Sequence, residues 1–569
     1  MKAIIDEILK ATKSQEWRDK ATSLLVEICK IDTTPASDVT IMRDAEAKVF
    51  DILERELAKV KLGKTRCERR KIDPAIAKHP AYSQLHFTKT EDCPEGLSPE
   101  EVYAERVNLL FFADGKKGRG NGVAVNSHID VVKPYFPPRV EDGIVFGRGS
   151  CDDKGSVVST IVALRILGDV LSRFGKSLSR DVIGMFVVEE ETGGNGSLSL
   201  ALDKSLSDLY SSLLVLECCG NDIHPANRGA VWYQARLEAH DRNANMLELA
   251  SFVYEQLEQE GRSIKSESRH GLFPQRPVQT CHGIIGPYGE HPSRICGEVA
   301  FDIVLTGSRS GRVRELIDDA IAFALADYVA LYGDKTEVMD GTSGKPKVAR
   351  HFDLEEAPFG YICRVHGSTG HMGSIMENDG AITKMACFVR GLYRSKDKIA
   401  QASGGQVILR LHDVDESIKT LNLEGGQGFV PTHEIDEVME RIRGAASAGV
   451  AHYLSMQGLP LDAAAIEVGY DKLHNDAFDG DPDSPQMRRA IQAAKDVGIW
   501  KDHPIMGWTV SCDARLFAKI RPDMPVITSG AGQLQYAHGD AEQLKLDDLM
   551  SSVAFVAVYL LREAGLFEE

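Results

Sequence analysis

Four short stretches of the chain are apolar at nearly every position: GVAVNS (122–127), DVIGMFVV (181–188), SSLLVLE (211–217) and MPVITS (524–529). A strand wet on one face alternates apolar and polar residues. Near-continuous apolarity marks strands covered on both faces, as in a largely parallel sheet. Between the first two stretches, SVVSTIVALRILGDVLSRFG (156–175) carries a helical repeat and stops at Gly175. Further helices are expected over 485–497 and 546–564. Strands and helices alternating at both ends of the chain predict one α/β domain, a doubly wound mixed sheet, built from residues 1–231 and 475–569.

The middle, 232–474, has a different rhythm and predicts an inserted α+β domain. A strand at 231–240, a helix through 251–257, a strand at 297–305 and a helix from 311 are followed by a similar series. That second series has a strand at 360–367, a helix through 387–393, a strand at 405–413 and a helix over 434–444. Matching order and residue types predict a duplication, with two similar lobes at about 232–350 and 351–474. The stretch 258–296 in the first lobe has no counterpart in the second.

Composition narrows the function classes. A net charge of -18 argues against a nucleic-acid partner, since such proteins concentrate positive charge. The N-terminal residues have helical spacing with charges throughout, unlike a signal peptide or a membrane span, so no membrane partner is expected. Eleven cysteines without a paired CxxC pattern predict free thiols and a cytoplasmic protein rather than a disulfide framework.

Five segments rich in acidic residues or histidine follow predicted strands or the loops after them: SHID (127–130), GRGSCDDKG (147–155), EEETGGNG (189–196), LECCG (216–220) and YAHGD (536–540). Open α/β sheets bind ligands at the carboxyl ends of their strands. In an extended chain His128 and Asp130 point to the same side, which suits a histidine ligand oriented by a carboxylate. GRGSCDDKG could be taken for a phosphate loop, but two aspartates precede its lysine and the GK[ST] ending is absent. Glutamates 189–191 follow a buried strand, where carboxylates need neutralising. Two histidines and several carboxylates at one sheet edge form a mixed nitrogen and oxygen donor set that suits zinc. DGDPD (479–483) has calcium-loop spacing but lacks the motif's glycine and distal glutamate, and is read as a solvated acidic turn.

These motifs, in this order, resemble the dinuclear-zinc metallopeptidase family that includes aminoacylase, carboxypeptidase G, succinyl-diaminopimelate desuccinylase and carnosine-type dipeptidases. The resemblance runs through Ser127–Arg228, His366–Lys384 and Cys512–Glu542. It implies that Asp152 bridges two Zn2+ ions (Co2+ or Mn2+ as substitutes), with His128, Glu191, Glu217 and His538 as terminal ligands. Asp130 would orient His128, and Glu190 would be the general base acting on a zinc-bridged water. The middle domain then corresponds to the family's lid or dimerisation domain. Within HGSTGHMGS (366–374), His371 would steady the oxyanion, and Arg410 is a candidate for gripping a substrate carboxylate. The implied activity is hydrolysis of a dipeptide or short peptide. Deacylation of N-acyl amino acids is the alternative, and a non-catalytic metal-binding relative is the alternative of another class. A doubled lid fits a monomer as well as a homodimer. Ser511 and Cys512 stand where many members carry a glycine followed by threonine or serine, which leaves specificity open.

Overall fold

The computed structural model describes residues 1–568 apart from 119, 293, 340–343, 371, 373–378, 416 and 540. The chain divides into two compact units. The first comprises Met1–Gly229, Gly271–Pro274 and Lys472–Glu569, and the second Ala230–His270 and Gln275–Asp471.

The first unit is built on a six-stranded mixed sheet. Its order is Thr65–Lys71, Val107–Ala113, Val182–Val187, Gly122–His128, Tyr210–Leu216 and Val526–Ser529. The last four run parallel, and the first two join antiparallel at one edge. All seven residues of Gly122–His128 and all six of Val182–Val187 are buried, which explains the apolar runs Gly122–Val125 and Val182–Val187. Because the four strands are parallel, the segments that follow His128, Val187, Leu216 and Ser529 emerge at the same sheet edge.

The helix Lys154–Phe174 packs against Leu546–Ala564 and is capped by Gly175 in the left-handed conformation. It is long and apolar enough to cross a membrane, yet 83% of its most apolar window is enclosed by the fold. Its composition is that of a core helix wrapped by others.

The second unit contains four strands of a five-stranded sheet and a second sheet of four strands. In chain order, the strands of one are Gly229–Ala239, Thr280–Ile285, Thr420–Phe429 and Ala464–Gly469, with helices Met246–Glu267 and Ile435–Gln457. The strands of the other are Glu298–Leu305, Phe352–Ala357, Gly360–His366 and Val407–Leu411, with helices Gly311–Tyr332 and Ala381–Ser403. Each sheet has the spatial order second, third, first, fourth strand. Each lobe is therefore a β-α-β-β-α-β unit of ferredoxin-like type.

This arrangement corrects the expected division near residue 350. The lobes are nested, not consecutive. The inner lobe, Glu298–Leu411, is inserted between the second and third strands of the outer one. Strand 297–305, expected in the first lobe, pairs instead with Gly360–His366 and Val407–Leu411. The physical reason is that linear order records only which elements follow one another, whereas lobe membership is decided by hydrogen-bonded pairing. The unmatched stretch 258–296 supplies the end of the helix Met246–Glu267, the strand Thr280–Ile285 and the four residues Gly271–Pro274 that belong to the first unit.

Candidate active site

The loop after Gly122–His128 begins the site. His128 is 1% exposed, and its Nδ1 lies 3.1 Å from the Asp130 backbone oxygen and 3.4 Å from Asp130 Oδ1. These acceptors favour the tautomer with a proton on Nδ1, leaving the Nε2 lone pair directed into the site. There Nε2 is 3.2 Å from Asp152 Oδ1 and 3.9 Å from Glu217 Oε1. Asp130 has a second task. Its two carboxylate oxygens accept the backbone N–H groups of Glu190 (3.1 Å) and Glu191 (3.0 Å), tying the first loop to the third.

On the other side of Asp152, His538 Nε2 lies 3.3 Å from Asp152 Oδ2 and 3.0 Å from Glu191 Oε2. Asp152 thus presents one oxygen to each imidazole. The result is two triads, His128–Asp152–Glu217 and Asp152–Glu191–His538, each with its ligand-type atoms within 4.8 Å of one another. The aspartate is common to both. Asp153 is in neither triad, and burial, with Asp152 beside it, pushes its carboxyl well above the usual range. The Asp152–Asp153 peptide bond is cis.

The electrostatics fit a divalent cation. Burial opposes charge on every one of these groups. Both imidazoles are nonetheless held well above the ordinary histidine range, because the surrounding carboxylates override burial: Asp130 and Asp152 for His128, Glu191 and Asp152 for His538. Burial also works against ionisation of Asp152, yet its hydrogen bonds to His128 and His538 hold it well below the carboxylate range. Glu190 and Glu217 are pushed well above that range, first by burial and then by the negative charge of Asp513 and Glu190 respectively. The pocket draws positive charge, and its nitrogen and oxygen donors suit zinc.

Several residues that hold the site together went unrecognised in the sequence. Glu542, fully enclosed, accepts backbone N–H groups from Gly149 (2.9 Å), Cys151 (3.0 Å) and Asp152 (3.1 Å), and pairs with Arg148 Nη1 at 2.5 Å. Burial raises its carboxyl to about 7 despite Arg148. This clamp fixes the loop that presents Asp152. Glu189, the first of the three glutamates, turns away from the triads. It is neutralised by Arg106, which also grips Glu46 through two nitrogens, and it accepts the Tyr103 hydroxyl at 2.9 Å. Glu189 and His538 both adopt positive φ, 67° and 61°. That conformation costs a non-glycine residue about 1–3 kcal/mol and persists only where the surroundings enforce it.

The structure therefore brings together His128, Asp130, Asp152, Glu190, Glu191, Glu217 and His538. Arg410 lies in the inner lobe of the second unit. Its Nε donates to the buried Asp302 at 2.8 Å and its guanidinium sits 5.2 Å from the Phe359 ring. His371 lies outside the described residues.

The model of peptidase family M20/M25/M40 matches residues 124–562, and the chain belongs to that family. A peptidase M20 domain-containing protein of Schizosaccharomyces pombe is 40% identical over 83 residues, 15% of this chain and 20% of the relative. A probable carboxypeptidase of Emericella nidulans is 30% identical over 125 residues, 20% of this chain and 28% of the relative. The matched stretches thus span less than a third of these curated relatives. Two solved structures share the fold over nearly the whole length. Human carnosine dipeptidase 1 has 13% identity and a TM-score of 0.53, covering 98% of this chain and 99% of that one. The dipeptidase Dug1p of Saccharomyces cerevisiae has 14% identity and a TM-score of 0.56, covering 99% of both chains.

Proposed function

We propose that the protein is a metal-dependent hydrolase that cleaves the amide bond of a dipeptide or short peptide. The observation that carries this reading is the pair of triads sharing Asp152, with half-buried Glu190 held next to Glu191 through Asp130. His128, Asp152 and Glu217 would hold one divalent ion, and Asp152, Glu191 and His538 a second, zinc first and cobalt or manganese as substitutes. Such ions, when bound, supply Lewis-acid activation of water and of the scissile carbonyl.

The rest belongs to the chain. Glu190 takes a proton from the attacking water and passes it to the leaving nitrogen, a role suited to a carboxyl whose affinity for protons is raised by burial. Asp130 keeps His128 in its ligand tautomer and fixes the backbone on which Glu190 and Glu191 stand. His371 remains the candidate for steadying the oxyanion. Arg410 is a weaker candidate for substrate binding, since Asp302 already engages it. The two dipeptidases of the same fold support peptides as the substrate class. Eleven free cysteines support action in a reducing compartment such as the cytoplasm.

The test is hydrolysis of a panel of dipeptides and N-acyl amino acids with added zinc, beside Glu190→Gln. Peptide cleavage abolished in the variant supports the proposal. Cleavage of the acyl compounds alone would shift the assignment to a deacylase. Activity on neither class, or full activity in Glu190→Gln, would refute the mechanism.

A further inference from the structure

The four residues Gly271–Pro274 are flanked on both sides by residues of the second unit but belong to the first. Phe273 is 2% exposed. Its ring lies so close to Gly507 that a Cβ built there would stand 2.1 Å from Cζ and 2.5 and 2.7 Å from the two Cε atoms. No side chain fits at 507 unless Phe273 moves. The Gly507 N–H also donates to Leu272 O at 2.7 Å, so the contact joins backbone as well as side chain.

Gly507 lies near the start of a segment tied down at both ends. Met506 O lies 2.9 Å from His224 Nδ1. The Trp508 N–H donates to Ala226 O (2.7 Å), and its carbonyl accepts from Arg228 N (3.1 Å). The far end reaches the candidate active site. Asp513 is buried against Gly194, where a Cβ would lie 2.4 Å from Asp513 Oδ1. Arg515 Nη2 donates to Gly193 O at 2.8 Å. Gly193 and Gly194 end the loop that carries Glu190 and Glu191. One continuous stretch, 506–515, therefore runs from Phe273 to the backbone just past Glu190.

We propose that Phe273 is a positioning residue for Glu190, acting through the 506–515 segment by wedging against Gly507. It touches neither triad and carries no chemistry of its own. Its effect is to hold the far end of a lever in register. Misplacing a catalytic group by about 1 Å can cost on the order of 100-fold in rate. The expected effect of releasing the wedge therefore falls on turnover and not on substrate affinity.

The proposal rests on the hydrolase reading, and its test separates the two. Wild type, Phe273→Ala, Phe273→Leu, Gly507→Ala and the Phe273→Ala/Gly507→Ala double variant are compared by steady-state kinetics, thermal unfolding and amide hydrogen exchange of residues 506–515. In Phe273→Ala, kcat is expected to fall about tenfold with KM nearly unchanged, and the Gly507 and Trp508 amides to exchange faster. Phe273→Leu should restore most of the turnover. Gly507→Ala should lose at least as much as Phe273→Ala. The double variant should lose no more than Gly507→Ala alone, because truncating the ring removes the clash the new methyl creates. Additive losses, an effect confined to KM, or an unchanged kcat in Phe273→Ala would overturn the proposal. If wild type hydrolyses nothing in the panel, the hydrolase reading falls. Exchange then decides whether Phe273 holds the segment, and unchanged exchange in both Phe273→Ala and Gly507→Ala would refute that.

Discussion

The two triads that share Asp152 differ in how they meet solvent. In one, the side chains of His128 and Glu217 are 2% and 4% exposed. In the other, Glu191 is 6% exposed but His538 is 28% exposed. His128 is fixed through Asp130, and His538 is held at positive φ. An ion held by the deep triad would be screened from exchange, and one held by the open triad would be reachable by solvent and substrate. The same donor types can thus serve retention on one side and access on the other.

The largest expected effect comes from the group common to both. Asp152→Ala should abolish hydrolysis and remove both metal equivalents, read by elemental analysis of the desalted protein. Retention of one equivalent would show that the triads are not joined through this carboxylate. Next come the single-sided changes. His538→Ala should lose one equivalent and keep the other, whereas His128→Ala should release the ion buried deepest and lower the melting temperature as well. Identical metal content and melting temperature in the two variants would erase the distinction. A third, smaller effect is kinetic. With a zinc chelator, loss of metal from wild type should be biphasic, and His538→Ala should lack the fast phase; single-exponential release would contradict unequal access. The mildest change is Asp130→Asn, which should weaken the deep site by about 10–100-fold and the open one by less, through the Glu191 backbone N–H that Asp130 holds, measured by competition with a calibrated zinc dye.

Legibility in the sequence followed the same physics. The four parallel strands could be read because burial on both faces leaves a nearly unbroken apolar signature. The clustered site residues could be read because each follows such a strand or the loop after it. The edge strand Thr65–Lys71, TRCERRK, was not anticipated: with one neighbour and alternating exposure, it keeps charged side chains in water and resembles a loop. Arg148 and Glu542 are 394 residues apart, and nothing local announces that one clamps the loop of the other. Arg106, Tyr103 and Glu46 are likewise ordinary surface-type residues until the fold buries them around Glu189. Phe273 is one apolar residue in a stretch without pattern, and Gly507 gives no turn signal. Their meaning lies in their contact. The lobes of the second unit were legible as elements but not as partners.

That nesting has a consequence for how the chain folds. The strands Thr280–Ile285 and Thr420–Phe429 pair directly, with Ile285 opposite Leu423, as the two arms of a hairpin would. The inner lobe occupies the place of the hairpin's turn. Its ends meet, since His412 N donates to Ala300 O at 3.1 Å. Closing a loop is entropically costlier the longer it is, and pairs distant in sequence form slowly. Once the inner lobe has folded, its joined ends turn a long-range encounter into a short one. The order of events is thereby biased from inside outward, with the interrupted outer sheet completing its register last.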